Sequence, residues 1–194
     1  MAIEITEQMT VEAPMDVAWA FLTDVRRVAS CMPGAEIVEE IDEKTYLGKA
    51  KVKLGAITTS YKGQVVFSEV DSNSRTMKLS GEGRETGGGT AKGSLDVQLA
   101  EAPGGGTEMR FDVRVDLTGK VMQMGRGMIK GVSAQLFKQF SANAQAQIAA
   151  AVADSPAPAP VAQDEALAVG SLLGRTLLQM IVDFFRRLFG RSSG

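Results

Sequence analysis

The 194-residue chain contains no histidine and a single cysteine, Cys31. This removes at once the commonest general base, the commonest transition-metal ligand and any intrachain disulfide. A zinc or copper site is not expected. Cys31 has neither a His to activate it nor a second Cys to resolve it, so it reads as a small, partly buried apolar residue beside the Met32-Pro33-Gly34 turn rather than as a nucleophile. Tyr61, Glu82 and Asp96 could carry protons, but their spacing pairs no acid with a base, and no catalytic residue is assigned. The run Gly81, Gly83, Gly87, Gly88, Gly89 and Gly93 lacks the Lys and Ser/Thr that close a phosphate loop and lies between strands, so it reads as a glycine-rich hairpin, a lip to a cavity. The suggestive side chains are apolar. Met77, Met109, Met124 and Met128, with Tyr61, Phe67, Leu79, Phe111, Val113 and Val132, fall where a sheet and a helix would face each other. Methionine suits a pocket for pliant apolar ligands. Composition leaves that pocket and an ordinary filled core equally open.

The elements that would position these residues follow from periodicity. Ile3 to Val11 reads as a first strand, and Ala13-Pro14 opens a helix whose buried face carries Val17, Phe21 and Val25, with Trp19 and Leu22 between. From Ala35 to Thr118 apolar residues alternate: Tyr46, Gly48, Ala50, Val52 and Leu54 on one strand, then Ile57 to Phe67 at odd positions, Met77 to Gly83, Leu95 to Leu99 and Met109 to Leu117. Short Gly, Asn or Asp turns join them into an antiparallel meander with one apolar face. The row Lys49, Lys51, Lys53 falls on the wet outer face. A helix from about Lys120 to Val152 would cover the apolar face with a stripe of Met124, Met128, Val132, Leu136 and Phe140, flanked by Ile129 and Phe137. Gly125, Gly127 and Gly131 weaken it by roughly 1 kcal/mol each relative to Ala, which implies close packing or open space beside them.

The last forty residues differ in kind. Asp-Ser-Pro-Ala-Pro-Ala-Pro-Val-Ala-Gln reads as a linker, 153–166, able to span roughly 40 Å at about 3.1 Å per residue. Residues 167–194 then read as an amphipathic helix. Arg175, Thr176, Gln179, Asp183, Arg186 and Arg187 fall within about a third of its circumference. Leu177, Leu178, Met180, Ile181, Val182, Phe184, Phe185, Leu188 and Phe189 occupy the rest. The charges leave no clean apolar span, so a helix lying in the membrane surface is expected, with Arg186 and Arg187 toward the headgroups. Four Arg against one Asp give this tail a charge of +3; the whole chain, with 21 basic and 23 acidic residues, carries -2, which leaves -5 for the body. The near-balance gives no reason to expect nucleic acid as a partner, while a basic tail suits anionic lipid. MAIEITEQMT has no basic segment followed by an apolar one, so no signal peptide is read, and a peripheral location on the cytoplasmic face of the cell membrane is expected.

The stretch VEAPMDVAWAFLTDVRRVASCMPGAEIVEE resembles the start of the CoxG family of carbon monoxide dehydrogenase subunits, which belongs to the START-like (SRPBCC) helix-grip superfamily. KVKLG, GEGRETGGGTAKGSLDVQL and GKVMQMGRGMIKGVSAQLFKQF extend the resemblance in order over about residues 3 to 148. It implies an α+β fold in residues 1–152, a curved antiparallel sheet gripping a long C-terminal helix with an apolar cavity between them. It also favours the pocket reading of the ten residues above. Family members look like accessory factors of aerobic, molybdenum-containing carbon monoxide dehydrogenases. The expected partners are therefore that dehydrogenase, the membrane lipid surface and a respiratory quinone such as menaquinone. The quinone, or another apolar lipid, would be held in the cavity and presented to the enzyme for electron transfer, with no covalently bound cofactor and no chemistry by the protein itself. A pure anchor or maturation factor, and a polyketide cyclase or aromatase on the same fold, are the alternatives.

Overall fold

A computed structural model describes residues 2–54 and 57–154. The expected linker and the tail helix, with Leu177, Leu178, Ile181, Phe184, Phe185, Arg186, Arg187, Leu188 and Phe189, lie outside the described residues. Strand β1 (Ala2–Val11) leads into helices α1 (Met15–Thr23) and α2 (Val25–Cys31). Six strands follow: β2 (Ala35–Asp42), β3 (Thr45–Leu54), β4 (Ile57–Asp71), β5 (Thr76–Glu85), β6 (Thr90–Glu101) and β7 (Thr107–Leu117). A 3₁₀ turn (Lys120–Met124) then opens the long helix α3 (Gly125–Asp154). The strands form one antiparallel sheet in the order β1-β7-β6-β5-β4-β3-β2. Chain order is kept from β2 to β7, as hairpins demand, and β1 closes beside β7.

The single helix expected after Pro14 is two. Asp24 leaves the helical conformation and its carboxylate accepts the Arg27 N–H at 3.1 Å, which caps α2 and ends α1. Gly34 makes the next turn with φ +77, and a side chain there would collide with the Lys51 carbonyl; the Lys51 N–H in turn donates to the Gly34 carbonyl at 2.8 Å. Helix and sheet faces turn inward into a main core in which Trp19, Phe21 and Leu22 of α1 meet Met77, Val97, Leu99, Met109 and Phe111 of the sheet and Phe140, Ala144 and Ile148 of α3. Phe111 stacks edge-on against Phe137 and Phe140, with ring centroids 5.4 and 6.0 Å away. A second, smaller core joins Ile3, Val121 and Ile129, with Tyr61, Met124 and Val132 around them.

The expected α3 stripe is corrected. Positions four apart advance by about 40° around a helix, so a run from 124 to 140 cannot keep one heading. The residues buried on α3 are Ile129, Phe140, Ala144 and Ile148, and Met128, about 100° from Ile129, is 49% exposed. α3 packs along β1 and reaches β3, with Phe140, Ala144 and Ile148 seated on the main core.

Candidate functional site: a glycine-floored apolar groove

The concave face of the sheet is open over its middle strands. Register places Gly48 opposite Gly63 and Gly63 opposite Gly83, with Ile37 and Ala91 continuing the row on either side. The neighbouring row runs Tyr46, Val65, Gly81, Gly93, Val115. Five residues without side chains thus lie together where a sheet of this kind would ordinarily carry Val, Ile or Leu. The result is a groove of about 460 Å³, within the usual range for a small-molecule site. Leu79, Leu95 and Val113 line one side, and Ala35, Ala50 and Tyr61 the other. Val65, on the floor, stays 39% exposed.

The glycines differ in why they are there. A Cβ at Gly63 would collide with the Glu82 carbonyl, and one at Gly93 would lie 2.5 Å from the Arg114 carbonyl, so these positions let strands coil tightly past each other. A Cβ at Gly81 or Gly83 meets nothing nearer than 3.6 or 3.5 Å, an ordinary contact. Packing there tolerates a side chain; the groove is what it would fill.

Of the ten residues expected to line a pocket, the structure brings Tyr61, Leu79 and Val113 to the groove. Phe67, Met77, Met109 and Phe111 are instead packed in the main core, with Met109 at 0% exposure. Met124 and Val132 join the second core, and Met128 faces outward. All lining residues come from β2 to β7, none from α3. The helix glycines do not serve close packing either, since a Cβ at Gly127 or Gly131 would meet nothing within 4 Å.

Behind Tyr61, next to the groove lining, lies a buried polar cluster. Thr59, 3% exposed, donates from Oγ1 to Glu85 Oε1 at 2.6 Å, and Glu85 lies directly opposite Tyr61 in the β4–β5 ladder. Glu85 Oε2 and the Tyr61 hydroxyl are buried without a hydrogen-bond partner. Burial, and then the charge of Glu85, push the Tyr61 phenol above its ordinary pKa, against a smaller opposing effect of Thr59. Glu85 does not stand out in the sequence; its signal is the two-residue parity it shares with Leu79, Gly81 and Gly83. Glu82 and Asp96 have the opposite parity and are exposed. Glu82 accepts from Gln64 at 3.3 Å and pairs with Lys92 at 3.4 Å, so neither acid joins Tyr61.

Cys31 is fully buried, and desolvation raises its thiol pKa while a Ser30 hydrogen bond acts the other way. Among the described residues no three His, Cys, Asp or Glu side chains gather as a metal site, and no helix is long and apolar enough to cross a membrane. Gly89, from the glycine-rich turn, is buried, and its missing side chain makes room for Glu85: a Cβ would lie 2.6 Å from both Glu85 Oε2 and the Thr118 carbonyl.

The profile of the CoxG family of carbon monoxide dehydrogenase subunits matches residues 8–149. The chain belongs to this family. Membership points to an accessory role beside a carbon monoxide dehydrogenase. No curated protein sequence matches the chain. Among solved structures, a conserved protein from Geobacillus kaustophilus superposes with a TM-score of 0.70 at 19% identity, covering 77% of this chain and 97% of that one. The Zhui aromatase/cyclase from Streptomyces sp. R1128 superposes with a TM-score of 0.57 at 16% identity (78% and 96% covered). A START superfamily protein from Mycobacterium smegmatis gives 0.52 at 8% identity (76% and 98%). At these identities the likeness is one of fold, the START-like helix grip. In this CoxG protein the sheet of the grip carries an apolar groove whose floor is glycine backbone.

Proposed function

We propose that this CoxG protein is a membrane-tethered accessory of a molybdenum-containing carbon monoxide dehydrogenase, and that its groove takes up an apolar lipid, a respiratory quinone, and presents it to the dehydrogenase. The observation that carries this reading is the glycine floor. Gly81 and Gly83 have room for side chains, yet the concave face is left bare and Val65 exposed. An apolar concavity of about 460 Å³ left to water is unfavourable and suits an apolar occupant. A quinone lies in the bilayer, out of reach of a water-soluble redox enzyme, and a carrier on a leash closes that gap. The basic, apolar tail at 167–194 and the proline-rich 153–166 supply anchor and leash in this scheme. The test is extraction and mass spectrometry of lipid from full-length protein purified from its membranes: quinone at near one per chain supports the reading, and a lipid-free groove refutes it.

The aromatase/cyclase neighbour raises an enzymatic alternative; Glu82 and Asp96 lie on the sheet face opposite Tyr61, so Tyr61 and Glu85 are the titratable pair that such a reading would have to use. An anchor without ligand transfer would predict that filling the groove leaves carbon monoxide respiration intact.

A further inference from the structure

We propose that Thr59, Glu85 and Tyr61 form the recognition site for one oxygen of the groove's ligand, and that this site selects a hydroxyl over a carbonyl. The proposal rests on the groove being a ligand site and adds which redox form of the ligand it holds.

Buried polar atoms in native proteins almost always have partners, and an exception calls for a cause. Here two exceptions sit on facing residues: Glu85 Oε2 and the Tyr61 hydroxyl, cross-strand neighbours on the concave face. The carboxylate is not there by accident of packing. Its other oxygen is fixed by Thr59 at 2.6 Å. Around Oε2 the backbone is stripped of side chains, since Cβ atoms at Gly89 and Gly119 would stand 2.6 and 3.4 Å from it. Tyr61 itself lines the groove, and Glu85 stands behind it as its partner in the next strand.

The two orphans ask for complementary things. A carboxylate oxygen only accepts, and a neutral phenol donates. Burial and the nearby charge keep the phenol protonated well into the alkaline range. A ligand hydroxyl answers both, donating to Glu85 Oε2 while accepting from Tyr61. A carbonyl or ether oxygen can answer only Tyr61, and it turns its lone pairs toward an unpaired carboxylate oxygen. The reduced, dihydroxy form of an aromatic quinone should therefore be held more tightly than the oxidised form, so that the protein draws reduced product away from the enzyme that makes it.

Two probes with the same aromatic body separate these cases without redox chemistry: 2-naphthol, which has an O–H, and 2-methoxynaphthalene, which does not. Fluorescence titration of the full chain is expected to show 2-naphthol binding at least tenfold more tightly. In Glu85→Gln, which keeps the size and can still accept from Thr59 but offers an N–H, that preference should vanish or invert. Tyr61→Phe should weaken both probes. Equal binding of the two probes to the wild-type chain overturns this proposal and leaves the groove reading standing. Binding of neither overturns both. The wild-type comparison decides the matter even if a variant fails to fold.

Discussion

Gly63 stands directly opposite Gly83 in the β4–β5 ladder, and the two positions answer differently to an added methyl group. The Gly63 Cβ would strike the Glu82 carbonyl, whereas the Gly83 Cβ would rest 3.5 Å from the Lys62 carbonyl and 3.6 Å from the Tyr61 Cβ. Gly63→Ala should therefore destabilise the fold by about 1–3 kcal/mol, the usual cost of overpacking, while Gly83→Ala should be close to neutral. Urea denaturation of both variants checks the contrast; equal losses would mean that the groove floor is shaped by something other than backbone crowding at Gly63.

A larger side chain at the tolerant positions separates fold from function. Gly81→Leu should keep the melting temperature within a few degrees yet reduce binding of an apolar fluorescent probe at least tenfold. If binding survives, ligands of this kind are held elsewhere.

Thr107 is fully buried and donates from Oγ1 to the Ala13 carbonyl at 2.8 Å, tying β7 to the entry of α1. Thr107→Val preserves shape and removes the donor, leaving that carbonyl unpaired, with an expected cost of about 1–3 kcal/mol. Met109→Ala, two residues on, opens a cavity in the main core and should cost about 2–5 kcal/mol. Chemical denaturation reads both.

The raised phenol of Tyr61 makes alkaline stability depend on it. Burial first and Glu85 second hold its pKa above the ordinary value near 10. Between that ordinary value, which the unfolded chain keeps, and the folded one, the unfolded state binds fewer protons, so stability falls as pH rises. Tyr61→Phe should flatten the decline above about pH 10. Glu85→Gln should lower the Tyr61 pKa, read at 295 nm in a Tyr46→Phe background because Tyr46 is also raised, by burial and then by Glu40.

Buried Cys31 should resist modification. Its thiol pKa is raised by desolvation, and a thiol must ionise and be reached to react. Ellman's reagent should label it only after denaturant is added; rapid labelling of native protein would show that the C-terminal end of α2 opens.

Much of the fold is written in two-residue alternation. The strands and the inward parity of Tyr46, Tyr61, Phe67, Leu79 and Phe111 follow from it, because one sheet face is buried and the other is wet. The break at Asp24 does not show in that way, because the apolar spacing of Val17, Phe21 and Val25 runs on across it, and only capping geometry shows that the chain starts a new helix there. The groove is the harder feature. Large apolar residues mark the core, since Phe67, Met77, Met109 and Phe111 are large because they fill it. A groove is made by residues that fill nothing. Gly48, Gly63 and Gly83 lie fifteen and twenty positions apart, and only the strand register sets them side by side. Glu85 is hidden likewise: its inward parity shows in the sequence, but its pairing with Tyr61 and the room left by Gly89 do not.

The central claim is that the groove carries a membrane quinone, and the most direct measurement is the lipid content of the full-length protein purified in parallel with Gly81→Leu from the same quinone-containing membranes. The account predicts quinone at near one per chain in the wild-type protein and its near-complete loss from the variant, with both folded. Quinone absent from both, or retained equally by Gly81→Leu, would contradict it.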